Sequence, residues 1–77
     1  MEAVAIAFGR VLRKLRKEMG LSQEALGLEA GLQRNYISSL ELGEKQPSLA
    51  SIYKLAFALN IKAGKLIALV DTELNNK

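Results

Sequence analysis

The chain has 77 residues with no cysteine and no histidine, and 49% of them are apolar but only 5% aromatic. Disulfides and ordinary zinc sites are therefore excluded as staples, and a fold this small must rest on apolar burial. A formal charge of +3 and an isoelectric point near 9.5 permit nucleic-acid binding but are small for a nonspecific nucleoid binder.

One proline, few β-branched residues and abundant Ala, Leu, Lys and Glu predict an all-α fold, a single domain over 1–77. The carboxylates Glu24, Glu29, Glu41 and Glu44 do not pair as acid and base, and no Gly-rich phosphate loop is present. No enzyme, cofactor or metal is expected from such a set. The apolar stretch from Ala3 to Phe8 is too short to cross a bilayer and lacks a basic leader, so the expected setting is cytoplasmic and nucleoid-associated, with no membrane partner.

Five helices follow from periodicity and punctuation. The first runs from about Val4 to Met19, with Val4, Phe8, Val11, Leu12, Leu15 and Met19 forming one apolar stripe, and ends at Gly20. Ser22 suits the N-cap of the second, whose first turn carries Glu24, the favourable sign for that end of the dipole. The third starts near Gln33 and stops before Gly43. Ser48 caps a fourth, Leu49 to Leu59, with Leu49, Ile52, Leu55, Ala56 and Leu59 as its buried face, and Asn60 closes it. The fifth spans about 63–71. The tail Asn75-Asn76-Lys77 has nothing to bury and is expected to fray.

The segment from Gln23 to Leu42 carries the functional signal. It reads as two short helices joined by a tight turn at Gly31, where φ > 0 costs a residue without Cβ nothing. Gly27 leaves room for two backbones to approach, and Leu26, Ile37 and Leu40 form an apolar wedge. The rest of the second helix is polar and short: Gln33, Arg34, Asn35, Ser38 and Ser39. That is the pattern of a helix-turn-helix at about 23–42, whose second helix lies in the DNA major groove.

The stretch from Leu21 to Leu59 resembles the lambda-repressor-like, Cro-type helix-turn-helix regulators of the XRE family. Leu21-Ser22-Gln23-Glu24-Ala25-Leu26, Ala30-Gly31-Leu32, Tyr36-Ile37-Ser38, Leu40-Glu41, Gly43 and Pro47-Ser48-Leu49 carry the likeness. The run from Leu32 to Ser38 and the short length also resemble the controller proteins of restriction–modification systems. The resemblance implies a compact five-helix fold and double-stranded DNA as partner. It implies base reading by Arg34, Asn35, Ser38 and Ser39, and phosphate contacts from Gln23, Gln33, Tyr36, Lys45 and Gln46. Arg34 has the fork for guanine O6 and N7, Asn35 the amide for adenine N6 and N7, whereas serine discriminates poorly. For Tyr36 the other reading is a ring packed on the scaffold. Glu41 matches a residue held in an internal ion pair, with a basic residue of the first helix as partner. Where many relatives have Arg or Asn, this chain has Leu42, which removes a polar backbone contact.

The basic run Arg10, Arg13, Lys14, Arg16 and Lys17 reads as a solvated face opposite the apolar stripe, the alternative being a phosphate-facing patch. Leu66, Ile67, Leu69 and Val70 cover more of a helix than one small core can bury, so they are expected to form a homodimer interface. The function expected is a sequence-specific regulator on a near-palindromic operator, with contact to the transcription machinery as a further expectation. A protein-interaction module, motivated by Leu42 and the apolar fifth helix, is the alternative.

Overall fold

A computed structural model describes residues 2–76 as five helices. They are α1 (Glu2–Glu18), α2 (Gln23–Ala30), α3 (Arg34–Glu41), α4 (Leu49–Ala58) and α5 (Ala63–Asn75), with no strand among the described residues. Lys77, the end of the expected tail, lies outside them. α1 packs on α3 and α5, α2 on α3 and α4, and α4 on α5.

Local chemistry sets the helix ends. Ser22 accepts from the Ala25 N–H at 3.0 Å to cap α2, and Ser48 accepts from the Ser51 N–H at 3.0 Å to cap α4. Gly31 takes φ 71° and lets the Leu32 N–H fold back on the Gly27 carbonyl at 2.8 Å, which ends α2 and turns the chain into α3. A Cβ on Gly27 would stand 2.5 Å from the Leu32 carbonyl oxygen, so the close approach expected at this glycine is real.

The core gathers Phe8, Val11 and Leu12 of α1, Leu26 of α2, Ile37 and Leu40 of α3, Leu55 of α4 and Leu66 and Val70 of α5. This corrects three readings. Leu66 is fully buried and Val70 nearly so, because the i, i+4 pair faces the bundle; neither is available to a partner, and Leu69 is half-buried. Ile67 alone of that expected interface is well exposed, at 49%. Leu49, expected inside, is 67% exposed, because α4 turns Ser51, Leu55 and Ala58 inward and Leu49, Tyr53 and Phe57 outward. Met19 lies past the end of α1 and is likewise exposed. α5 runs on to Asn75, beyond the expected end, with Leu74 packed against the core.

Candidate nucleic-acid interface

The outer side of the α2–turn–α3 unit holds the residues singled out for DNA. Gln33 is the N-cap residue of α3, with extended backbone and no side-chain capping bond, so its amide is not used to close the helix. Arg34 and Asn35 follow in the first turn and are exposed; Ser38 and Ser39, a turn later, are half-buried. Ile37 and Leu40 point the other way, fully buried against the scaffold. The period of the helix thus separates an anchoring edge from a polar edge within eight residues. After α3 the chain turns at Gly43 and presents Lys45 and Gln46, both exposed, ahead of α4.

Two polar networks hold this unit. In the first, the Arg16 guanidinium donates to Glu41 through Nε (2.6 Å to Oε2) and Nη2 (3.0 Å to Oε1), and through Nη1 to the Leu21 carbonyl at 2.8 Å. Gln23 Nε2 donates to the same Glu41 Oε1 at 3.0 Å. The Arg16 and Glu41 side chains are only 10% and 4% exposed. This bidentate, desolvated pair joins the end of α1 to the end of α3, and Gln23 ties in the start of α2. The hydrogen bond to Glu41 raises the Arg16 pKa above the ordinary arginine value, burial opposes it and the Glu41 charge assists. Arg16 therefore leaves the expected basic run and serves as the internal partner of Glu41. Gln23 stays half-buried beside them, its amide oriented by the carboxylate rather than loose on the surface.

In the second network, the Tyr36 hydroxyl lies 3.0 Å from Ser51 Oγ, and Ser48 Oγ donates to Ser51 Oγ at 3.0 Å. Tyr36 packs its ring on the core edge while its hydroxyl reaches α4, so the scaffold reading of this residue holds for the ring. Ser51, 6% exposed, was invisible in the sequence: a serine in an apolar helix carries no spacing signal, and its role depends on a tyrosine fifteen positions earlier. Leu49, Tyr53 and Phe57 stand at i, i+4 and i+8 on the exposed side of α4, a spacing visible in the sequence.

The geometry can be set beside known proteins. The family described as Helix-turn-helix matches residues 12–66, a span that contains α2, α3 and α4 entire. The chain belongs to this family of XRE-type, DNA-binding transcriptional regulators. Among the family's curated members, Control protein C.MunI of Mycoplasma sp is 38% identical over 74 residues, covering 95% of this chain and 100% of that one. Among solved structures, the restriction-modification controller protein C.AhdI from Aeromonas hydrophila superposes with a TM-score of 0.78 at 45% identity, covering 80% of this chain and 94% of that one. The controller protein C.Esp1396I, solved as a tetramer in complex with its natural 35 base-pair operator, superposes with a TM-score of 0.86 and covers 95% of this chain and 96% of that one. At 23% identity that last likeness is one of fold. No described helix is long and apolar enough to cross a membrane.

Proposed function

We propose that this member of the family is a controller-type regulator that binds a near-palindromic operator as a homodimer, with α3 of each protomer in the major groove. The observation that carries the reading is the polar edge of α3. Arg34 and Asn35 project at its exposed start while Ile37 and Leu40 lock its other side into the core. Arg34 and Asn35 then read base edges, with Ser38 and Ser39 adding contacts of low discrimination. Gln23, Gln33, Tyr36, Lys45 and Gln46 frame the helix and contact phosphates, setting register without reading sequence.

Pairing is supported by a surface other than the one expected from the sequence. With Leu66 and Val70 inside the protomer, the apolar area left open on α4 is Leu49, Tyr53 and Phe57, exposed by 67%, 61% and 80%, with Ile67 exposed on α5. A two-fold axis that sets this stripe against its own copy would cover it, and the proposed operator requires that the same axis bring two recognition helices to successive major grooves about 34 Å apart. In this reading the protein acts in the cytoplasm on the nucleoid.

Selection of bound sites from a random duplex pool, near physiological salt, tests the proposal. An enriched inverted repeat with half-sites about one helical turn apart is expected. Retention of DNA at low salt with no enriched sequence overturns it and favours a protein-interaction module, for which the 66% exposed Leu42 would be the first contact to examine.

A further inference from the structure

We infer that Ser51 is a positioning residue for DNA binding: its hydrogen bond to the Tyr36 hydroxyl holds that phenol in place near the start of α3 for contact with the DNA backbone. The inference rests on the reading of Tyr36 as a phosphate contact. Ser51 Oγ already accepts the proton of Ser48 Oγ at 3.0 Å, while Ser48 Oγ accepts the Ser51 N–H as the α4 cap. The Tyr36 oxygen lies 3.0 Å from the same Ser51 Oγ, in a bond where either hydroxyl can donate. Ser48, Ser51 and Tyr36 thus form one hydrogen-bonded chain from the α4 cap to the phenol of α3. A hydroxyl offers one proton and two acceptor sites, so Tyr36 keeps a further hydrogen-bonding site whichever way its bond to Ser51 runs.

Position agrees with this role. Ser51 is buried on the inner face of α4, whereas Tyr36 is half-buried, one residue past the exposed Arg34–Asn35 pair. The bond to the serine fixes the ring, so the start of α3 is registered against α4 by a directional bond as well as by packing.

The test uses the operator recovered by site selection and the intact chain carrying Tyr36→Phe, Ser51→Ala or both. Ser51→Ala keeps the Ser48 cap, which bonds the backbone N–H of residue 51, so α4 is expected to remain folded, as circular dichroism will record. Each single substitution is expected to weaken operator binding by about three- to tenfold, and the double substitution to weaken it no more than Tyr36→Phe alone. All three proteins are expected to keep the parental slope of affinity against salt, because no charge is removed. Ser51→Cys, which nearly keeps the volume with a weaker donor and acceptor, should lose affinity in the same direction. If Tyr36→Phe binds like the parent, the phosphate contact itself fails and the inference with it. If Tyr36→Phe weakens binding while Ser51→Ala does not, or if the two losses add, Tyr36 acts without the serine and the positioning role is overturned.

Discussion

Arg34, at the start of α3, and Lys45, just past its end, are both exposed cations, yet their expected contributions differ in kind. Arg34 sits in the first turn of α3, and in the proposed complex its fork pairs with one guanine edge. Arg34→Ala should cost about 1–3 kcal/mol on the selected operator and much less on random duplex, measured as the ratio of two dissociation constants. Equal losses on both would reduce Arg34 to a backbone contact. Arg16 poses the opposite problem, a cation inside the protein. Glu41→Ala removes its buried partner while leaving the guanidinium in place, and should lower stability by about 3–5 kcal/mol in chemical denaturation. The sign of any pH dependence follows from the raised Arg16 pKa. A cation favoured in the fold contributes fully below its unfolded value and is lost only as pH rises past the folded one, so no loss from Arg16 is expected in the neutral range. Glu41 and a basic partner on the first helix were legible in the sequence through the family likeness. That the partner is Arg16, and that Gln23 shares the carboxylate, was not, because five basic residues in eight positions look alike until the helix is rotated against α3.

At the level of helices, periodicity identifies residues that share a face but not which face meets the bundle. For α3 the two questions have one answer, since Ile37 and Leu40 are its large apolar residues, and the helix-turn-helix was readable to within a residue or two. α4 and α5 are different. Each carries apolar residues on more than one arc, so α4 offered Leu49 as core and α5 offered Leu66 and Val70 as interface, and packing reversed both. The reversal makes a prediction. Phe57 is 80% exposed in the protomer, so Phe57→Glu should leave monomer stability within about 0.5 kcal/mol. If the α4 stripe pairs two copies, the same change should convert a dimer to a monomer in sedimentation equilibrium and abolish tight binding to the inverted repeat. A variant that remains dimeric would place the contact elsewhere. Gly9 illustrates a constraint that periodicity does not reveal. A Cβ there would enter the Leu40 carbonyl and stand 2.6 Å from that of Glu41, where α1 crosses the last turn of α3. Gly9→Ala should therefore destabilise by about 1–3 kcal/mol through forced separation of the helices, despite the better helix propensity of alanine. A raised melting temperature would show that α1 can move aside at no cost.

Over the whole molecule the charge is modest, and its placement decides how binding responds to salt. Arg10, Arg13, Lys14 and Lys17 are exposed on α1, but Arg10 lies 3.7 Å from Glu73 of α5, and Arg10 and Lys14 line the groove between α1 and α5. The Arg10 side chain is 70% exposed and Glu73 29%, and at 3.7 Å the pair adds little stability. It nevertheless marks the direction in which this arc of α1 faces: toward α5, whereas Arg16 turns toward Glu41 at the end of α3. A protein that used all four of these cations on DNA would bind as a general polyanion receptor. One that uses Lys45 beside α3 takes fewer phosphates and leans more on base contacts. The slope of log affinity against log salt separates the two, at roughly 0.9 per neutralised phosphate. For a dimer, Lys45→Ala should shallow the slope by about 2, and it should weaken operator and random duplex alike. Arg13→Ala with Lys17→Ala should leave the slope unchanged if the α1 arc is a solvated face. A shallower slope in that double variant would extend the DNA footprint across α1 and shift affinity from sequence reading toward charge.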